Sequence, residues 1–299
     1  MILSPLPLIV LFILSLAGFL SAESLKCSYN KNRAGGSADS YFYTALVSAT
    51  AGIVALALSG FKLSFSPFSV LLGLLFGVAV MGNIVASSLA IQVGPWSYTT
   101  VMVSLGIVIP SFSGALFFHE TLSWLDFLGL GFMVVCFICS VKKDPNEKKS
   151  NLGWLVLSII AMLSISVVGL LQKTHQSSAH KDEIGVFLTV AFLTSALLSA
   201  LAYLLLRKKG ATEAGEAAKG NRMRALYIIF GAGVATAFNH TINLFLSGAL
   251  DSVVFFPVMC GGELIGVTLI SVLFFKERLT RVQWLGLASG AFASLLLCI

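Results

Sequence analysis

Glu263 is the residue with the clearest chemical potential. It stands about twelve residues from either end of the apolar run 252–275, where an ionised side chain is costly unless it meets water, a partner or a substrate. Gly261, Gly262 and Gly266 surround it, leaving room for a backbone or a ligand to come close. A carboxyl in such a place can bind a substrate or take up and release a proton, so coupling or substrate contact is its expected role.

A polar stripe is the second candidate. Asn239 and Asn243 are four residues apart with Thr236 three before, which puts all three on one helical face, and His240 is one step round. Amides left unpaired in hydrocarbon cost several kcal/mol each by order of magnitude, so the stripe must face a neighbouring helix or a cavity. Interhelical hydrogen bonding and substrate contact both satisfy that demand. Asn83, Ser87 and Ser88 form a similar cluster earlier in the chain, with Gln92 at its end. Tyr98 either lines a cavity or sits at the membrane interface as an aromatic anchor. Ser87 and Gln92 are further cavity-lining candidates. Cys136 and Cys139 form a CxxC among bulky apolar residues and are expected to pack rather than bind metal or exchange electrons. No HExxH, GxSxG or clustered His/Asp pattern is present, and no cofactor is implied.

The elements that must position these residues are membrane spans. With 57% hydrophobic and 11% charged residues, the 299-residue chain is too apolar for a soluble domain. Apolar length and polar breaks predict ten helical spans at about 3–24, 40–60, 68–89, 95–118, 123–141, 152–172, 184–206, 224–247, 252–275 and 282–299. The first is read as a span and not a signal peptide, because it has no basic region before it. Pro110 and Pro257 interrupt two spans and predict kinks or hinges. Gly73/Gly77, Gly262/Gly266 and Gly286/Gly290 are GxxxG pairs, expected to serve packing inside the bundle.

An internal repeat underlies this layout. Residues 89–141 align without gaps on a stretch 157 residues later, with identities at Leu116/Leu273, Phe117/Phe274, Phe118/Phe275, Glu120/Glu277, Leu122/Leu279, Leu128/Leu285 and Gly129/Gly286. At the same offset Asn83 falls on His240, and Glu263 on Gly106, so the carboxylate exists in one copy only. Repeats of this size in an apolar chain are a mark of transporters, in which two related bundles share a midplane site. The expected organisation is a first five-helix repeat over 1–141, a charged connector over 142–151 containing Pro145, and a second repeat over 152–299. Glu120 and Glu277, at helix ends beside polar or basic residues, are expected to fix turns as caps or in loop ion pairs.

The repeated knots FFHETLSWLDFLGLG and FFKERLTRVQWLGLASG resemble the drug/metabolite transporter superfamily in its EamA-like ten-helix branch. That branch shows an aromatic-rich helix end, a Glu, a Leu-Thr or Leu-Ser pair and a Gly-containing final helix in each half. The motif covers about fifteen residues per half; the helix number and repeat layout extend over the chain. The resemblance implies an all-α secondary carrier with two inverted five-helix repeats and a central cavity.

The expected function is secondary active transport of a small organic metabolite or drug by alternating access, with proton exchange as a form of coupling. The alternatives are an integral membrane channel or a membrane-embedded enzyme. The partners implied are a small-molecule substrate, protons and the lipid bilayer of the cell or plasma membrane. The net charge of +6 does not imply nucleic acid, because the basic residues gather in short loops. Sixteen Lys and Arg fall on one side of the layout and three on the other, which places both termini outside, whereas the resembled family keeps them in the cytoplasm.

Overall fold

A computed structural model describes residues 5–32, 37–61, 65–93, 96–139, 151–208, 222–275 and 280–297. Among these residues the regular structure is entirely helical: α1 (Pro5–Asn32), α2 (Ser37–Leu58), α3 (Pro67–Val93), α4 (Trp96–Leu105), α5 (Val108–Phe117), α6 (Trp124–Cys139), α7 (Leu152–Gln176), α8 (Ile184–Lys208), α9 (Arg222–Ala249), α10 (Ser252–Phe275) and α11 (Arg281–Leu297). Each predicted span corresponds to a helix, except that 95–118 is divided into α4 and α5. Glu277 and most of the 142–151 connector lie outside the described residues.

Among the described residues, six helices carry stretches long and apolar enough to cross a membrane: Pro7–Lys26, Ser40–Leu58, Pro67–Ser87, Leu152–Gln176, Ile184–Leu206 and Met223–Ala249. Met102–Phe117, Trp124–Cys139 and Ser252–Gly266 are shorter apolar helices. Many large apolar side chains are exposed, and serines are buried beside an apolar core. Ser15, Ser111, Ser158, Ser195 and Ser199 are wholly buried, while Leu197, Leu201, Leu204 and Leu205 of α8 are exposed. An apolar exterior over polar interior contacts suits helices solvated by lipid, which offers leucine no reason to hide and polar groups no partner.

The chain forms two compact units, Met1–Met81 with Ser178–Phe245 and Gly82–Ser177 with Leu246–Ile299. In the first, α2 packs on α8 through small residues: Ala51 and Ala55 are buried, and the Ser48 and Ser195 hydroxyls are 3.3 Å apart. Gly73 and Gly77 of α3 press on α8; a Cβ at Gly73 would stand 2.8 Å from the Phe187 carbonyl oxygen, and one at Gly77 would overlap that of Ala191.

In the second unit α6 packs on α11. Gly286 and Gly290 receive the ridge formed by Cys139 and Cys136, with Cys136 fully buried. Ser289 Oγ donates to the Phe132 carbonyl at 2.8 Å. The CxxC and this GxxxG pair are thus two sides of one helix contact. Helix α7 starts at Asn151, whose Oδ1 caps Trp154 N at 2.8 Å and whose Nδ2 donates to the Val93 carbonyl at the end of α3. Farther along α7, Gly169 leaves space for Pro110 of α5.

Candidate functional site

Glu263 lies half-buried on α10 in the second unit. Beside it, Gly261 is covered by Met133 of α6, whose Sδ would be 3.1 Å from a Cβ there. Met133, Phe137 and Ala293 form a buried cluster onto which Leu105, Ile107, Cys260 and Leu264 pack. Leu105 and Ile107 flank Gly106, and Cys260 and Leu264 lie within one turn of Glu263. One cluster therefore brings together the neighbours of Glu263 and of the glycine that occupies its place in the repeat.

The chain breaks at that glycine. Gly106 N and Ile107 N bond three residues back, to Val103 O at 2.9 Å and Ser104 O at 3.2 Å, so the last turn of α4 tightens and α5 begins afresh at Val108. Pro110 has no N–H to offer the Gly106 carbonyl four residues earlier. Ser166 of α7 brings a donor there, its Oγ 2.8 Å from Gly106 O and also 2.8 Å from Met162 O, and its one proton serves either oxygen at a time. The Gly106 backbone lies so near α7 that a Cβ there would be 2.6 Å from both Met162 O and Ile165 Cγ2.

The polar stripe of α9 is engaged by α1 in the first unit. Asn239 is buried, Asn243 Nδ2 donates to its Oδ1 at 2.7 Å, and the Ser15 hydroxyl lies 2.9 Å from Asn239 Oδ1 and 2.7 Å from Asn243 Oδ1. The single hydroxyl proton serves one of the two oxygens at a time. Thus interhelical bonding, one of the two readings of the stripe, is realised here. His240 is half-buried and makes T-shaped ring contacts with Phe76 and Phe192, with centroids 6.1 and 5.3 Å away.

Asn83 belongs to the other unit, where its Nδ2 donates to the Ala161 carbonyl of α7 at 3.0 Å. Ser87 turns back on its own helix, donating to Asn83 O at 2.6 Å. The side chains of Gln92, Ser88 and Tyr98 lie outside the described residues.

Sequence reading missed a buried ion pair. Lys173, which with Lys62 and Lys181 makes up the three cations of the less basic side of the predicted layout, lies inside α7, which runs four residues past its predicted end. Its Nζ is 2.6 Å from Glu120 Oε1 and donates to Leu250 O at 2.8 Å. Glu120 also accepts from Ser252 N at 2.7 Å and from Ser252 Oγ at 3.2 Å. The side chains of Lys173 and Glu120 are 7% and 8% exposed, so the ion pair is buried and not in a loop, while the bond from Ser252 N at the start of α10 matches the capping role also expected for Glu120. The carboxylate stands at the start of α10 and the ammonium at the end of α9, each complementing a helix dipole. A lysine near the end of an apolar helix, with a repeated Glu elsewhere, was the available signal. Sequence spacing could not pair them.

A second carboxylate missed by sequence reading closes one end of the first unit. Glu183 accepts from Ser66 Oγ at 2.5 Å and Ser66 N at 3.4 Å, just before α3, and lies 3.3 Å from His180 Nδ1. Hydrogen bonds from Ser66 and then Ser69 hold its carboxyl down to about 2. With Asp182, Ser59, Gly185 and Thr241 it lines a cleft of about 310 Å³. Among the described residues no group of three or more His, Cys, Asp or Glu is arranged to hold a metal ion.

The overall fold has structural relatives. Similar solved chains number 28. One, described only as the crystal structure of a protein, superposes with a TM-score of 0.74 over 96% of this chain and 94% of its own, at 14% identity. At that identity the likeness is one of fold alone. Neither a family model nor a curated protein matches the sequence.

Proposed function

We propose that this chain is a secondary active transporter of a small organic metabolite or drug, of the drug/metabolite transporter class and its EamA-like branch. It works by alternating access in the cell or plasma membrane, with ten spans arranged as two inverted five-helix repeats over 1–141 and 152–299. The observation that carries this reading is a reciprocal pair of helix crossings. Helix α1 meets α9 where Gly18 faces Asn239, with 3.3 Å between a glycine Cβ and Asn239 Cβ. Helix α7 meets α3 where Gly82 faces Ser164, with 3.2 Å to its Oγ. Gly82 and Asn239 are 157 residues apart, the offset of the sequence repeat. Helix starts repeat at nearly the same interval: Arg222, Ser252 and Arg281 follow Pro67, Trp96 and Trp124 by 155, 156 and 157 residues.

Crossings exchanged between two copies of one unit fit a pseudo-symmetric carrier. Five spans per copy is an odd number, so matching positions enter the membrane from opposite faces. Glu263, with its neighbours packed against the α4–α5 break, serves as the coupling or substrate-contacting carboxylate. The partners of this function are a small-molecule substrate, the bilayer and protons.

Proteoliposomes containing the purified chain should show saturable counterflow for at least one class among amino acids, nucleosides, sugars and cationic drugs. Ion currents far above carrier turnover would establish a channel instead. For the inverted layout, cysteines placed beside Glu120 and Glu277 should react with impermeant reagents from opposite faces. Labelling of both from one face would refute the ten-span arrangement.

A further inference from the structure

Glu120, Lys173 and Ser252 join parts of the molecule that are distant in sequence: the end of α5, the last turn of α7 and the turn between α9 and α10. All three residues are buried in the second unit. The place for the carboxylate is built into α5. A Cβ on Gly114 would overlap Glu120 Oε2, and Glu120 N returns to the Gly114 carbonyl at 3.1 Å, with His119 at φ 57° turning the chain between them. Lys173 and Ser252 N supply opposing partial or full charges, and Leu250 O takes a further ammonium proton.

Burying two ions against water yields little net stability over an apolar contact of the same shape, whereas separating them in a dry interior is strongly unfavourable. Such a pair is a poor general glue. It is a sharp two-state contact, made when the helix ends converge and exchanged for hydration when they part.

We propose that the Glu120–Lys173 pair is a latch that holds this end of the second unit closed and is released into water when the transporter opens there. The proposal rests on the transporter reading. It distinguishes this end by a specific contact, seated over Gly114, whose loss favours opening without removing any part of Glu263 or its surroundings.

The test uses the full chain in proteoliposomes with a reporter, Ser247→Cys, at a wholly buried position near the end of α9. Labelling by an impermeant maleimide is measured over that of the same chain without the reporter. Gly114→Ala keeps both charges but displaces the carboxylate, and Lys173→Met keeps the stem but removes the ammonium. Each should raise the labelling rate on the order of tenfold or more, because one buried charge loses its compensation. Labelling of a second reporter, Thr99→Cys, should not rise with it; Thr99 is buried on α4 and accepts from Trp154 Nε1 at the other end of α7, at 2.8 Å. Thermal melts on the same preparations separate opening from collapse. A folded Gly114→Ala chain with unchanged Ser247→Cys labelling overturns the latch. So does an equal rise at both reporters, which would mean general loosening. Failure of the transporter reading appears separately, as a parent chain without saturable counterflow.

Discussion

Residues 96–117 and α10 align at the 157-residue offset of the sequence, yet one is broken and the other is continuous. Both contain a proline, so proline alone does not decide the outcome. Pro257 lies inside α10 close to its start and the helix runs through it. Pro110 falls in the first turn of α5, where a missing N–H costs least, and the break lies just before it at Gly106. What differs is the surroundings. Gly106 has α7 pressed against its backbone and Ser166 ready to bond its carbonyl, whereas the same repeat position on α10 carries the Glu263 side chain. One segment places backbone packed on α7 at this position and the other places a carboxylate.

The largest test of this asymmetry is Glu263→Gln. The substitution is nearly isosteric with the protonated acid and should leave the fold intact while abolishing gradient-driven accumulation, with substrate exchange in the absence of a gradient retained. Unchanged concentrative transport and unchanged pH dependence would reduce Glu263 to a packing residue. The site would then be sought around Asn83, Asn239, His240 and Asn243.

Gly106→Ala attacks the other segment. An added methyl meets the α7 backbone at Met162 and should destabilise the chain by about 1–3 kcal/mol, read as a lowered midpoint in thermal or denaturant unfolding. A neutral result would show that α7 can withdraw and that the glycine is not demanded by close approach.

Ser166→Ala removes the donor to Gly106 O and should cost about 0.6 kcal/mol, the average for interhelical hydrogen bonds within membranes, and no more than about 1.7 kcal/mol. Pro110→Ala should have the smallest effect by itself, because it restores an N–H that the serine already replaces. Together the two substitutions should be less harmful than their separate costs imply, since the new N–H can bond the carbonyl that Ser166 has abandoned. Strict additivity would separate the break from Pro110.

Helix placement was legible because a membrane span needs a fixed length of apolar residues, and polar breaks between spans are hard to hide. The 157-residue register could be read from identities at Phe117/Phe274, Glu120/Glu277 and Gly129/Gly286, and the starts of α9, α10 and α11 follow those of α3, α4 and α6 by 155, 156 and 157 residues. The roles of Cys136 and of Gly286 with Gly290 could be anticipated as packing, since the thiol lies among bulky apolar residues and a bundle of many helices needs small residues where two backbones approach.

The partners were not legible. Helical periodicity put Asn239 and Asn243 on one face, but whether that face met a ligand or another helix depended on Ser15, more than two hundred residues away. Lys173 read as a cation just past a span end, because a charge there can equally snorkel into water, and only tertiary packing set it against Glu120 and Leu250. The break at Gly106 likewise required α7 to bring Ser166 to a carbonyl that Pro110 had left without a donor. Local chemistry therefore fixed which segments are helical and which groups demand satisfaction, because both follow from solvation of nearby residues. The choice of partner depended on long-range packing, since a hydrogen bond or ion pair in a dry interior goes to whichever group the fold brings within reach.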